Sequence, residues 1–231
     1  MPVTTVFFDV GETLVDETRV WGEWADWLGV PRLTFFAALG AAIARGGDHR
    51  DVFAIFCPGR PVADLVSARE AELGPLGFAI EDLYPDARPC LEALAGRGYR
   101  VGIAANQPPR AQAVLEASRL PVEWLVISAV VGLEKPAPAF FSHLRDLAGQ
   151  PASQIAYVGD RADNDVVPAA AAGMVPIHVR RGPWGVIHQD RPELALAALR
   201  VESLAELPAR LEELGRPEDE ERRGGGGGGA P

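Results

Sequence analysis

Thr4-Thr5-Val6-Phe7-Phe8-Asp9-Val10-Gly11-Glu12-Thr13-Leu14 decides how this chain folds. Its first five residues are β-branched or aromatic, as a strand buried on both faces requires, and the run stops at a carboxylate followed by a glycine-containing turn. Similar runs recur at Arg100 to Ala105 (RVGIAA), Trp124 to Ser128 (WLVIS), Gln154 to Val158 (QIAYV) and Val175 to Val179 (VPIHV). Helical patterns separate them. Strands alternating with helices imply right-handed crossovers and a parallel sheet covered on both faces, with ligands at the carboxyl ends of the strands.

The expected architecture is therefore α/β, a Rossmann-like parallel sheet, with one complication. From about Val15 to Tyr84 the chain is several times longer than any other helical connection. Val20, Trp24, Trp27 and Leu28 fall at helical spacing, as do Leu33, Phe36, Ala37, Gly40 and Ile43, and Val62 to Leu73 is a further amphipathic run. Residues 15–84 thus read as a small α-helical cap inserted into a core made of 1–14 and 85–215, the tryptophans serving mainly as cap core. Asp86 is placed to cap a helix running to about Arg97 and ended by Gly98. Residues 216–231, charged and then six glycines in a row, read as a disordered tail.

The formal charge of −10 and a pI near 4.9 disfavour nucleic acid and anionic membrane, which need Lys and Arg to displace counterions. No apolar run reaches membrane-spanning length and no secretory signal precedes the first strand, so a cytoplasmic location and a small-molecule partner are expected. Cys57 and Cys90 lack metal-ligand spacing and read as ordinary buried thiols. Of 22 basic residues only Lys135 is a lysine. In a chain that otherwise uses arginine, that one ammonium is a candidate for a task requiring a compact point charge.

Four segments carry candidate chemistry. Asp9 ends the first strand, where an aspartate alone could equally cap a turn. Val158-Gly159-Asp160-Arg161-Ala162-Asp163-Asn164-Asp165 ends another, and its acids converge with Asp9 if the two strands share a parallel sheet. Asp9, Asp160 and Asp165 then form an oxygen-rich site suited to Mg²⁺, while Asp163 and Asn164 read as helix caps. Lys135 precedes a proline-initiated helix in Gly132-Leu133-Glu134-Lys135-Pro136-Ala137-Pro138. Asn106, after the strand ending at Ala105, can donate to a substrate oxygen or simply shape a turn.

In this order the four segments resemble the haloacid dehalogenase-like hydrolases, which are largely phosphatases. The resemblance runs from Thr4 to about Val179. It implies Asp9 as nucleophile and metal ligand, Lys135 as the phosphate-orienting lysine, Asp160 as metal ligand and Asp165 as its support. It also implies a main-chain carbonyl ligand from Gly11, with Asn106, Lys135 and Glu12 facing the phosphorylated substrate. Two positions depart from the family pattern. Gly11 stands where its phosphatases carry a second aspartate for proton transfer, and Ala105 where they carry a phosphate-binding Ser or Thr.

The resemblance implies Mg²⁺-dependent hydrolysis of a small phosphorylated metabolite through an aspartyl-phosphate. Glu12 as a replacement acid is disfavoured if the segment is extended, because adjacent side chains then point apart. Dehalogenation needs no metal and leaves the Asp160–Asp165 loop without a purpose; phosphonate cleavage needs a cap lysine, and none exists. A weakly active or inactive protein that binds a phosphorylated ligand or a partner fits the two departures. Oligomeric state stays open. On sequence grounds alone, restoring the missing carboxylate by Gly11→Asp should raise turnover of an alkyl phosphate in a steady-state assay.

Overall fold

The computed structural model describes residues 2–215; the stretch 216–231, read above as a disordered tail, lies outside the described residues. Strand β1 (Thr5–Phe8) is wholly buried at the centre of a parallel sheet whose order is β3-β2-β1-β4-β5-β6. The others are β2 (Arg100–Ala105), β3 (Trp124–Ile127), β4 (Ile155–Gly159), β5 (Val175–Val179) and β6 (Leu199–Val201). Five of these match the sequence reading to within a residue at each end. The sixth did not stand out because it is three residues long with an exposed arginine at its centre.

Alternation along β1 explains why both faces are covered. Val6 and Phe8 point into one apolar cluster with Leu91 and Leu94 of helix Ala87–Gly96 and Leu115 of helix Arg110–Ser118. Phe7 points into the other, with Tyr157 and Phe140, Phe141 and Leu144 of helix Pro138–Ala148. A central parallel strand is buried at every position, and TVFF is; its one polar residue, Thr5, satisfies its hydroxyl by donating to Gln150 Oε1 at 2.8 Å.

Between β1 and β2 the chain forms the helical cap: Thr18–Trp27, Arg32–Ala44, Asp51–Phe56 and Val62–Leu73. The third, only six residues long, was not legible as a helix in the sequence. Trp24, Phe35, Ile43, Phe53 and Leu65 make its core, with Trp24 and Phe53 edge to face at 4.8 Å. Trp184 of the core segment Gly182–Ile187 inserts into the same cluster, so cap and core share apolar surface. Trp21 instead lines the cleft between them. No single helix among the described residues is long and apolar enough to cross a membrane. Cys90 is buried and Cys57 partly so, both as free thiols.

Two connections join cap to core, and they pair with each other. Val15 bridges Leu83, Asp16 N–H donates to the Asp82 carbonyl at 2.8 Å, and Tyr84 N–H donates to the Leu14 carbonyl at 2.9 Å. Asp86 does not cap the helix it precedes. Its carboxylate instead accepts from both terminal nitrogens of Arg181 (3.0 and 2.5 Å), Ser203 Oγ (2.6 Å) and Leu204 N–H (2.9 Å), fastening three distant segments.

Burial works to raise the pKa of Asp86, but the bonds from Arg181 and Ser203 outweigh it and hold the group below the usual carboxylate value. A carboxylate depressed in the folded state contributes stability above its unfolded pKa and loses it as pH falls through the folded one. Asp86→Ala should therefore cost about 2–3 kcal/mol in urea unfolding at pH 7, the scale of charge-assisted hydrogen bonds. The difference from wild type should shrink below about pH 4.

Candidate active site

Asp9 follows β1, and its N–H extends the ladder to the Val158 carbonyl at 2.9 Å. Because β4 lies beside β1 in parallel register, Asp160 emerges at the same edge. The segment Ala162–Val166 is a wide π-type turn, closed by Val166 N–H to the Arg161 carbonyl at 3.1 Å. That turn brings Asp165 back toward the sheet. A methyl group at Gly159 would overlap the Asp165 carboxylate, so the close approach requires glycine there. Asp163, at the start of that turn, pairs with Arg161 at 3.1 and 2.8 Å.

Asp9, Asp160 and Asp165, each buried, offer oxygens lying within 4.8 Å of one another. The Lys135 ammonium sits among them, 2.8 Å from Asp9 Oδ1 and 2.6 Å from Asp165 Oδ1, and 5.4 Å from the centre of the Tyr157 ring. Burial alone would drive this ammonium to release its proton. The charges of Asp165 and Asp9 outweigh that effect and hold its pKa well above the usual lysine value.

Asp160 has no such cation in contact. Burial, then the charges of Asp165 and Asp9, push its carboxyl well above the ordinary range, and Oδ2 is buried with no hydrogen-bond partner among the described residues. An all-oxygen donor set with one orphaned buried oxygen and an excess of negative charge is what a hard divalent cation completes. The Asp160 main chain is pinned by His178, whose Nε2 lies 3.0 Å from the Asp160 carbonyl. Burial pushes that imidazole down to about 4, so it donates as the neutral ring.

Asn106 sits at the cleft but is committed elsewhere. Its Nδ2 donates to the Lys135 carbonyl at 2.8 Å, and Lys135 N–H donates to its Oδ1 at 2.8 Å. The amide is a strut for the lysine, which takes its oxygen and one of its two N–H donors. Glu12 has a positive φ of 50°, so the backbone is not extended there and the argument from alternating side chains fails. Its carboxylate accepts from Tyr84 OH at 2.6 Å and from Glu17 N–H at 3.1 Å, one partner on each connection to the cap. Burial raises its pKa against those two bonds. Gly182, at φ +64°, makes room: a Cβ there would lie 2.5 Å from Glu12.

Several cleft residues escaped the sequence reading. Ala105 is buried and offers no hydroxyl, but Ser128, opening the turn after β3, places Oγ 3.2 Å from the Gln107 N–H at the rim of the cleft. His49 lies between Trp21 and Trp184, its ring centre 5.4 Å from each. Burial pushes its pKa down to about 4, leaving it neutral. Glu17 lines the cleft beside Gly11, and burial, then the charge of Glu12, push its carboxyl up to about 7. Altogether the cleft encloses about 800 Å³ between the strand ends and the cap.

The model of the haloacid dehalogenase-like hydrolase family matches residues 3–173. This chain belongs to the haloacid dehalogenase-like hydrolases. Among its relatives, the glyceraldehyde 3-phosphate phosphatase of Methanopyrus kandleri is 33% identical over 128 residues, 54% of each chain. The phosphoglycolate phosphatase of Rhodospirillum rubrum is 35% identical over 134 residues, 57% of this chain and 53% of that one. The chain thus aligns with about half the length of these curated relatives.

Solved structures of similar fold include the hydrolase YfnB from Bacillus subtilis bound to magnesium, at 18% identity and a TM-score of 0.67, covering 91% of this chain and 99% of that one. Another is a dehalogenase with its intermediate complex, at 20% identity and a TM-score of 0.63, covering 94% and 99%. A magnesium-bound hydrolase and a dehalogenase thus share this fold, and the choice of chemistry rests on the residues of the site.

Removing the ammonium while leaving its carboxylates tests the balance of charge in the cluster. Lys135→Met should lower stability at pH 7 by about 3–5 kcal/mol, the cost of stripping one partner from a buried ion pair, in equilibrium urea unfolding without added metal.

Proposed function

We propose that this hydrolase is a Mg²⁺-dependent phosphatase acting on a small phosphorylated metabolite through an aspartyl-phosphate on Asp9. The observation that carries this reading is the pairing of Asp9 with Lys135 beside Asp160, whose buried Oδ2 has no hydrogen-bond partner among the described residues. A dehalogenation reading leaves that orphaned carboxylate unexplained. Relatives that are phosphatases of three-carbon and two-carbon phosphates support a small substrate, and so does the volume of the cleft.

Asp9 Oδ attacks phosphorus, the bond to the leaving oxygen breaks, and an acyl phosphate forms; water then cleaves the phosphorus–oxygen bond and restores the carboxylate. Lys135, 2.8 Å from Asp9 Oδ1, holds that carboxylate in place and neutralises charge gathering on the phosphoryl oxygens. Asp165, bound by Lys135 and by the Arg161 N–H at 3.0 Å, fixes the ammonium. Asp9, Asp160 and the Gly11 carbonyl would hold the Mg²⁺, with Asp165 in support, and the ion when bound supplies positive charge at the phosphate. The cap and its aromatic residues restrict water and substrate size.

A binding protein without turnover is the second reading, favoured by Gly11 and Ala105, and the same experiments separate the two. Hydrolysis of p-nitrophenyl phosphate should be saturable, require Mg²⁺, and cease with EDTA. Asp9→Asn should reduce it to background while leaving the circular dichroism spectrum unchanged; ligand-induced stabilisation with no turnover would favour the binding reading. Mg²⁺ at about 100 times its dissociation constant should stabilise the protein by about 2.7 kcal/mol in thermal unfolding, and Asp160→Asn should remove that gain.

A further inference from the structure

Gly11 removes a carboxylate from the position where the family's phosphatases transfer protons, yet the space it leaves is occupied. A Cβ built on Gly11 would stand 2.8 Å from Glu17 Oε1 and 3.1 Å from its Cδ. The carboxylate of Glu17 therefore fills the volume that a side chain at position 11 would enter. Glu17 lines the same cleft as Asp9 and Lys135.

The backbone explains how a residue six positions along the chain arrives there. The Val10 carbonyl accepts from Thr13, Leu14 and Val15 N–H at 3.2, 2.9 and 2.9 Å, and Glu12 N–H donates to the Val15 carbonyl at 2.8 Å. This tight turn lays Val15 against Gly11. Glu17, at the start of helix Thr18–Trp27, is then directed back at Gly11, with its main chain held by Glu12 Oε1. Trp21 Nε1 donates to Glu17 Oε2 at 3.2 Å, which orients the carboxyl and leaves Oε1 without a hydrogen bond among the described residues. The Glu12 carboxylate, by contrast, is spent on Tyr84 and Glu17 N–H. The three-carboxylate cluster around Lys135 does not include Glu17, which is accordingly not tied up there.

We propose that Glu17 is the catalytic acid and base of this enzyme, delivered by the connection to the cap into the slot left open at Gly11. This rests on the phosphatase reading above. As Asp9 Oδ bonds to phosphorus and the ester bond breaks, the proton of the Glu17 carboxyl passes to the leaving alkoxide, which departs as an alcohol. Glu17, now ionised, takes a proton from the incoming water as its oxygen bonds to phosphorus and the bond to Asp9 breaks. Inorganic phosphate leaves, and both carboxyl groups return to their starting states.

The test compares wild type with Glu17→Gln, which keeps an acceptor for Trp21 but moves no proton, on 2-phosphoglycolate and p-nitrophenyl phosphate with saturating Mg²⁺. General acid–base help is worth about 10²- to 10⁴-fold. For 2-phosphoglycolate, kcat/KM should fall by about 10²-fold or more. For p-nitrophenyl phosphate, whose leaving group needs no proton, kcat/KM should fall by less than about threefold while kcat drops. Acid-quenched Glu17→Gln should then carry phosphate on Asp9, read as added mass in the intact protein, to a greater extent than wild type.

Gly11→Asp supplies the independent arm. Its carboxylate must compete with Glu17 for one space, so alone it should not raise kcat/KM on 2-phosphoglycolate, the reverse of the expectation from sequence alone. Placed in a Glu17→Ala background, where that space is vacated, it should restore at least about tenfold of the rate that Glu17→Ala loses. Equal losses on both esters, no loss on either, or a rate gain from Gly11→Asp alone would overturn the role of Glu17 while leaving the phosphatase reading standing. Wild-type protein that shows no Mg²⁺-dependent turnover of either ester would overturn both.

Discussion

A single buried ammonium, shared by Asp9 and Asp165, is the interaction on which the site depends. Three acidic side chains in so small a volume would repel one another strongly in the low dielectric beneath the cap, and Lys135 offsets two of them at 2.8 and 2.6 Å. Its location is in turn dictated by Asn106, which grips both the N–H and the carbonyl of the lysine. The parallel sheet contributes the remaining constraint: β1, β2 and β4 are adjacent, so residues after their carboxyl ends have no choice but to meet. A planar guanidinium is broader than an ammonium and more suited to forked contacts, which accounts for a lysine in a chain that otherwise uses arginine.

Much of this was legible before any coordinates. TVFF reads as a doubly buried strand because no charged residue interrupts it and its residues are β-branched or aromatic, and the strand-end acids at 9 and 160 could be paired because parallel strands align their ends. The lone lysine stood out by composition. What could not be read was set by the third dimension. Asp86 has the sequence position of a helix cap, but Arg181, 95 residues away, is a stronger partner and takes it. Asn106 follows a strand as a substrate donor or a turn residue would, and only the fold shows that a loop from the next crossover engages its oxygen and one of its N–H donors. Strand β6 and the short helix Asp51–Phe56 are each too brief to show a period.

One argument about the first motif, that Glu12 sits on extended backbone, failed for a related reason. Extended backbone sends neighbouring side chains to opposite sides, and by that rule Glu12 and the residues after it are disposed independently of Gly11. The positive φ at Glu12 breaks the rule, and the hydrogen bonds converging on the Val10 carbonyl fold the chain back on itself. No spacing argument identifies Glu17, because its proximity to Gly11 comes from the closure of this turn and not from the distance between them in sequence. The available clue was a run of acids, Asp16 and Glu17, immediately before a helix, which reads as ordinary N-terminal charge.

Glu12 ties both cap connections together through Tyr84 on one and the Glu17 amide on the other. A carboxylate rooted at position 11 would ride on the rigid loop following the central strand, keeping a constant distance from Asp9 whatever the lid did. Glu17 belongs to the hinge itself. Any swing of the helical lobe about its paired tethers must carry that carboxylate toward or away from Asp9, so the geometry of this chain makes the lid's angle and the spacing of the Glu17 and Asp9 carboxyls one and the same variable.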